Sequence, residues 1–85
     1  MGFIYPTDVT KLIIPVEFDL KKGRVIFKLA HREPGTKVFW YIDNDLIGAT
    51  SDFHEIEVLR DPGTYKLLVV DENANELSQI FTIVK

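Results

Sequence analysis

Lys37-Val38-Phe39-Trp40-Tyr41-Ile42-Asp43, with Asn44-Asp45 directly behind it, is the stretch that decides the fold. Its apolar run is β-branched and aromatic throughout, the composition of a strand rather than of an amphipathic helix. Asn44 between two acids reads as the tip of a tight hairpin, because Asn tolerates positive φ and an Asp side chain accepts a bond from the backbone two residues on. Outward from this hairpin, no window keeps the i, i+3, i+4, i+7 pattern for three turns without a Pro, Gly or Asn-rich break. Short β-branched and aromatic runs recur instead, at 3–5, 11–16, 24–30, 37–43, 45–49, 54–59, 64–71 and 77–84. The breaks between them carry turn chemistry: Lys21-Lys22-Gly23, Glu33-Pro34-Gly35, Asp61-Pro62-Gly63 and Asp71-Glu72-Asn73-Ala74-Asn75-Glu76.

Strands at this spacing predict an all-β fold, an immunoglobulin-like antiparallel β-sandwich of about seven to eight strands. The length of 85 residues leaves room for one core, so residues 1–85 read as a single domain. Alternation gives the inward face where only one face is apolar: Val25, Phe27 and Leu29 point in. In 37–43 both faces are apolar, and position in the sandwich decides. A Trp on the third main strand fills the centre, which turns Trp40 inward and Phe39 and Tyr41 outward. The segment Asp61-Pro62-Gly63-Thr64-Tyr65 has the form of a tyrosine corner, in which the phenol ties the loop back to the chain. The expected core is Val25, Phe27, Leu29, Trp40, Ile42, Ile56, Val58, Tyr65, Leu67, Val69, Phe81 and Ile83.

These phases leave apolar side chains on the outside. Phe39, Tyr41, Leu68, Val70, Ile80 and Val84 fall on the outer face of strands that neighbour one another in such a sandwich. Large side chains gathered in water mark interaction surfaces, so these six are the candidate partner-binding residues. The chain's own 9–18 segment, crossing over the sheet, is the alternative cover.

Composition closes several other routes. Ten Lys and Arg against thirteen Asp and Glu give a formal charge of −3, with no basic cluster beyond Lys21-Lys22, which argues against nucleic acid as a partner. The absence of cysteine excludes a disulfide framework, a thiolate nucleophile and a cysteine zinc site. No apolar run reaches the roughly 18 residues of a membrane span, and no direct membrane contact is expected. Ser51 and Ser78 are the only serines, and neither opens a Ser-x-x-Lys motif nor sits in Gly-x-Ser-x-Gly. His31 and His54 stand in separate segments without a ligand partner at zinc spacing, and the acids around Asn44 and in 71–76 lack the alternating oxygens of a calcium loop. No catalytic residue, metal site or cofactor is therefore assigned.

Several blocks together resemble a known family. Tyr5-Pro6, Ile13-Ile14-Pro15, Ala30-His31-Arg32-Glu33-Pro34-Gly35, Phe39-Trp40-Tyr41-Ile42-Asp43-Asn44, Ile47-Gly48, Phe53-His54, Pro62-Gly63-Thr64 and Val70-Asp71-Glu72-Asn73 look like the C-terminal domain of penicillin-binding protein 1C, over nearly the whole chain. Many relatives have Gly where this sequence has Asn44 and Asn75, and Asn accepts the same left-handed backbone. The resemblance implies a non-catalytic tail of a bifunctional peptidoglycan synthase, a glycosyltransferase and transpeptidase lying in the periplasm with a single inner-membrane anchor. It implies that the chain starts at a domain boundary, with Met1-Gly2 an expression remnant. The partners it implies are the transpeptidase domain of the parent chain or a periplasmic protein, with a homodimer of the isolated domain as a further state. The alternatives are an immunoglobulin-like spacer or a glycan-binding module of a bacterial surface protein, the latter because exposed aromatics such as Phe39 and Tyr41 stack on sugar faces.

Overall fold

A computed structural model describes residues 2–5, 12–16, 22–31 and 35–84. Its strands are β1 (Gly2–Tyr5), β2 (Leu12–Pro15), β3 (Gly23–Ala30), β4 (Val38–Ile42), β5 (Asp45–Thr50), β6 (Glu55–Arg60), β7 (Gly63–Asp71) and β8 (Glu76–Val84). They form two sheets, β1-β3-β6 and β2-β8-β7-β4-β5. The fold is the expected immunoglobulin-like β-sandwich. The turns at Lys21 and at Glu33-Pro34, the strand start at Lys11 and most of the proposed 9–18 crossing lie outside the described residues. The part of that crossing that is described is β2, which joins the edge of the larger sheet instead of lying across its face.

Among the described strands pairing is antiparallel with one exception. β2 runs parallel to β8, from Leu12 opposite Phe81 to Pro15 opposite Val84. Side-chain alternation reports which face a residue takes and says nothing of strand direction, so this departure from an antiparallel sandwich has no signature in the pattern.

β3 alternates along its whole length, with Val25, Phe27 and Leu29 buried and Arg24, Ile26 and Lys28 exposed. Gly23, expected in a turn, opens this strand. A Cβ there would lie 2.6 Å from the Ile83 side chain, so only glycine lets the two sheets close at this end. On β4, Val38, Trp40 and Ile42 face the core while Phe39 and Tyr41 are half-buried on the outside. Between the sheets, Phe27 meets Phe81 edge-on at 5.3 Å, and within the larger sheet Tyr65 stacks on Phe81 at 5.4 Å. Edge contacts of this kind favour the ring quadrupoles beyond the area they bury.

Ten of the twelve expected core residues are buried; Ile56 and Tyr65 are half-buried and pack against the rest. Ile56 lies on β6, an edge strand. Tyr65 must reach outward, since its hydroxyl donates to the Asp61 carbonyl at 2.8 Å and closes the tyrosine corner. Val38 and Ile14 complete the core.

The two long hairpins use different turns. Asp43 and Asn44 have φ of 48° and 73° between the paired residues Ile42 and Asp45, the two-residue turn with both central residues left-handed. Asp43 also extends the β7 ladder: its N–H donates to the Lys66 carbonyl, and its carboxylate accepts from the Lys66 N–H, each at 3.0 Å. In the β7–β8 hairpin the left-handed residue is Ala74, φ 66°, and not Asn75 as the family comparison of turns suggested. The Ala74 N–H donates to the Asp71 carbonyl at 3.1 Å and the Asp71 N–H to the Asn75 carbonyl at 3.0 Å, the pattern of a three-residue loop that places its left-handed residue last. Asn75 keeps ordinary backbone because its amide N–H and its side chain both bind the Asp71 carboxylate.

Two stability predictions follow from this packing. Trp40 is fully buried, so Trp40→Ala should cost about 3 to 5 kcal/mol, and chemical denaturation should show most of the stability gone. Ala74→Gly should raise stability by about 0.5 to 1 kcal/mol, since a left-handed Cβ costs on the order of 1 kcal/mol; a Tm higher by a few degrees in a thermal melt is the expected reading.

Candidate functional site

The outer face of the larger sheet is set by register. β7 pairs with β4 so that Val70 stands opposite Phe39 and Leu68 opposite Tyr41. All four lie on the face away from the core, where directly opposed side chains are within about 5.5 Å at Cβ. β5 continues both rows, with Ala49 opposite Phe39 and Leu46 opposite Tyr41. Leu46, 58% exposed, belongs to the face and was not singled out from sequence. The irregular register between Trp40 and Tyr41 is what brings Leu46 into line, and a one-residue bulge cannot be read from alternation.

On the other side the face becomes mixed. β8 places Ser78 opposite Leu68 and Glu76 opposite Val70, and Ile80 opposite Lys66. Ile80, 46% exposed, therefore touches the apolar rows only diagonally. Val84 stands apart beside Pro15, separated from Ile80 by the Thr64–Thr82 pair, whose hydroxyls bond at 3.1 Å. The structure thus gathers Phe39, Tyr41, Leu68 and Val70, adjoins Ile80 and sets Val84 at the far margin. The Lys37 ammonium lies 5.7 Å from the centre of the Phe39 ring, so a cation rims the aromatic end.

A second feature lies inside one end of the sandwich. The Trp40 indole N–H donates to Thr50 Oγ1 at 2.9 Å, and Thr50 Oγ1 lies 2.8 Å from His54 Nδ1. The His54 ring is 6.0 Å from that of His31, whose Nε2 donates to Asp71 Oδ2 at 3.0 Å. Asp71 is buried, and its carboxylate also accepts from the Asn73 and Asn75 backbone and the Asn75 amide. The bond from His31, followed by that from Asn75, holds the Asp71 carboxyl well below the usual carboxylate range and outweighs its desolvation. For His54, burial first and the neighbouring His31 second push the imidazole below its ordinary value, with Asp52 opposing.

Sequence reading kept His31 and His54 apart; the fold brings their rings together, tilted at 56° to each other. The signal was present in the strand phases. His31 is the next inward position after Val25, Phe27 and Leu29, and Asp71 is the next after Leu67 and Val69. Among the described residues no group of three or more His, Asp or Glu is placed to hold a metal ion. Ser51 and Ser78 are both exposed, and the His54 Nδ1 is engaged by Thr50 rather than by a serine. Among the described residues no helix is long and apolar enough to cross a membrane.

No curated protein and no solved structure matches the chain. A family described as Penicillin-Binding Protein C-terminus Family matches residues 1–81. That match runs from β1 into β8 and takes in both the apolar outer face and the buried histidine pair. With nearly its whole length covered, the chain belongs to the penicillin-binding protein C-terminus family.

Proposed function

We propose that this domain is a non-catalytic docking module of a bifunctional peptidoglycan synthase of the penicillin-binding protein 1C type, working in the periplasm on a parent held by a single membrane anchor. The observation that carries the reading is the outer face of β4, β7 and β5, where Phe39, Tyr41, Leu68, Val70 and Leu46 lie side by side. A strand pair with apolar residues on both faces is the pattern of a sheet covered on both sides. The core covers one side, and the transpeptidase domain of the parent chain is the partner proposed for the other. Charge supports a protein surface over a glycan: the margin of the face offers Lys37, Lys66 and Glu76 at its edges, with few convergent polar groups among the aromatics to orient a sugar.

Tyr41→Lys combined with Leu68→Glu should leave the circular dichroism spectrum and cooperative melting intact, because both side chains point away from the core. The same variant should bind the separately produced synthase body at least tenfold more weakly in a pull-down titration; unchanged binding would move the docking surface elsewhere, and capture of a different periplasmic protein alone would replace the partner. The domain itself should take up no fluorescent penicillin on a denaturing gel, since acylation needs a serine with a base beside it. A covalent adduct on Ser51 or Ser78 would contradict the non-catalytic reading.

A further inference from the structure

The buried histidines lie outside the docking face and perform no task in it. Their geometry is more specific than packing needs. Trp40 Nε1 can only donate, so the Thr50 oxygen accepts from it, and the arrangement that uses every group sends the Thr50 hydroxyl proton to an unprotonated His54 Nδ1. His54 is also pinned through its backbone, its carbonyl accepting from the Leu29 N–H at 2.8 Å. The connection from β5 to β6, residues 51–54, carries the buried His54 and, directly before it, Phe53, 84% exposed. Across from His54, the His31 Nε2 is committed to the Asp71 carboxylate.

We propose that His31 and His54 form a proton-operated latch on the connection between β5 and β6, closed while His54 is neutral and opened when His54 takes a proton. Protonation removes the acceptor that the Thr50 hydroxyl uses and leaves its proton without a partner. It also creates a buried positive charge 6.0 Å from the His31 ring. Among the described residues, the ionisable groups acting on His54 are His31 at the end of β3 and Asp52 on its own connection; Asp71, at the end of β7, stands behind His31. Asp52 favours the proton, but burial and His31 outweigh it. The sense of the pH dependence is fixed by this. The unfolded chain binds the proton near 6.5 and the folded one only at lower pH, so the latch contributes fully above about pH 6.5 and weakens as pH falls below it. Asp71 stays ionised through this window and loses its contribution only as pH falls below its ordinary value of 3.8, so the two steps are separate.

The sole tryptophan is the reporter. Proton NMR of the intact domain between pH 8 and 4.5 should show the His54 ring titrating below 6.5, the Trp40 indole N–H resonance shifting with the same midpoint, and the amides of 51–54 losing protection, relative to the intrinsic exchange rate at each pH, several-fold on the acid side while those of β7 hold. His31→Gln keeps a donor for Asp71 and removes the imidazole, and should move the His54 midpoint upward. His54→Asn keeps a neutral oxygen near the Nδ1 position and should abolish the indole transition. A His54 midpoint at or above 6.5, an indole resonance that ignores the titration, or a midpoint unmoved by His31→Gln would overturn the latch, and the wild-type titration alone decides if a variant does not fold.

Discussion

Burying one indole organises the rest of this domain. Trp40 is fully enclosed between the sheets, and its N–H cannot be left without an acceptor in that environment at a cost of a few kcal/mol. Thr50 supplies the acceptor from the neighbouring strand, which requires the tight turn at Asp43-Asn44 and the irregular register that follows it. Thr50 in turn engages His54, so the requirement passes into the connection to the second sheet. In a chain without cysteine, the two sheets are joined by these side chains and by the Phe27–Phe81 aromatic contact.

The same alternation that builds the core also decides what the surface offers. Once Trp40 points in, Phe39 and Tyr41 must point out, and register with β7 lines them up against Val70 and Leu68. The outer face is thus a by-product of strand phase only in its position. Its apolar content is separate, since any polar residue at those places would serve the core equally well. At the strand ends the alternation has a different result: His31 and Asp71 continue the inward phase beyond the apolar interior, where the sandwich opens, and they bond to each other instead of packing.

Strand positions, the indole's direction, the tyrosine corner and the hairpin tip at Asn44 were all readable because each rests on local chemistry: period two, proline and glycine turns, and left-handed Asn. What was not readable rests on relations between distant segments. The parallel pairing of β2 with β8, the alignment of Leu46 by a bulge and the meeting of His31 with His54 depend on register and direction, to which a single strand's pattern is blind. The left-handed residue in the last hairpin was missed for a chemical reason. Asn75 is the better left-handed residue by type, but its side chain is committed to Asp71, and the loop puts Ala74 there instead. Of the candidate face, the four central residues were legible and the position of Val84 was not, because the Thr64–Thr82 row that divides it from the others is a cross-strand pairing.

The pairing of β2 with β8 gives the domain a particular order of assembly during synthesis. Of the described strands, β2 is made second and the neighbour it needs, β8, is made last. While β8 is still unmade, β2 has no ladder to join and β7 presents a bare edge of N–H and C=O groups. The contact that then closes the sheet spans most of the chain, and contacts of such separation slow folding. A ribosome-bound or shortened chain lacking β8 therefore has an open β7 edge and an unpaired β2, both suited to pairing with the wrong strand, and β8 governs when the domain becomes safe from that fate.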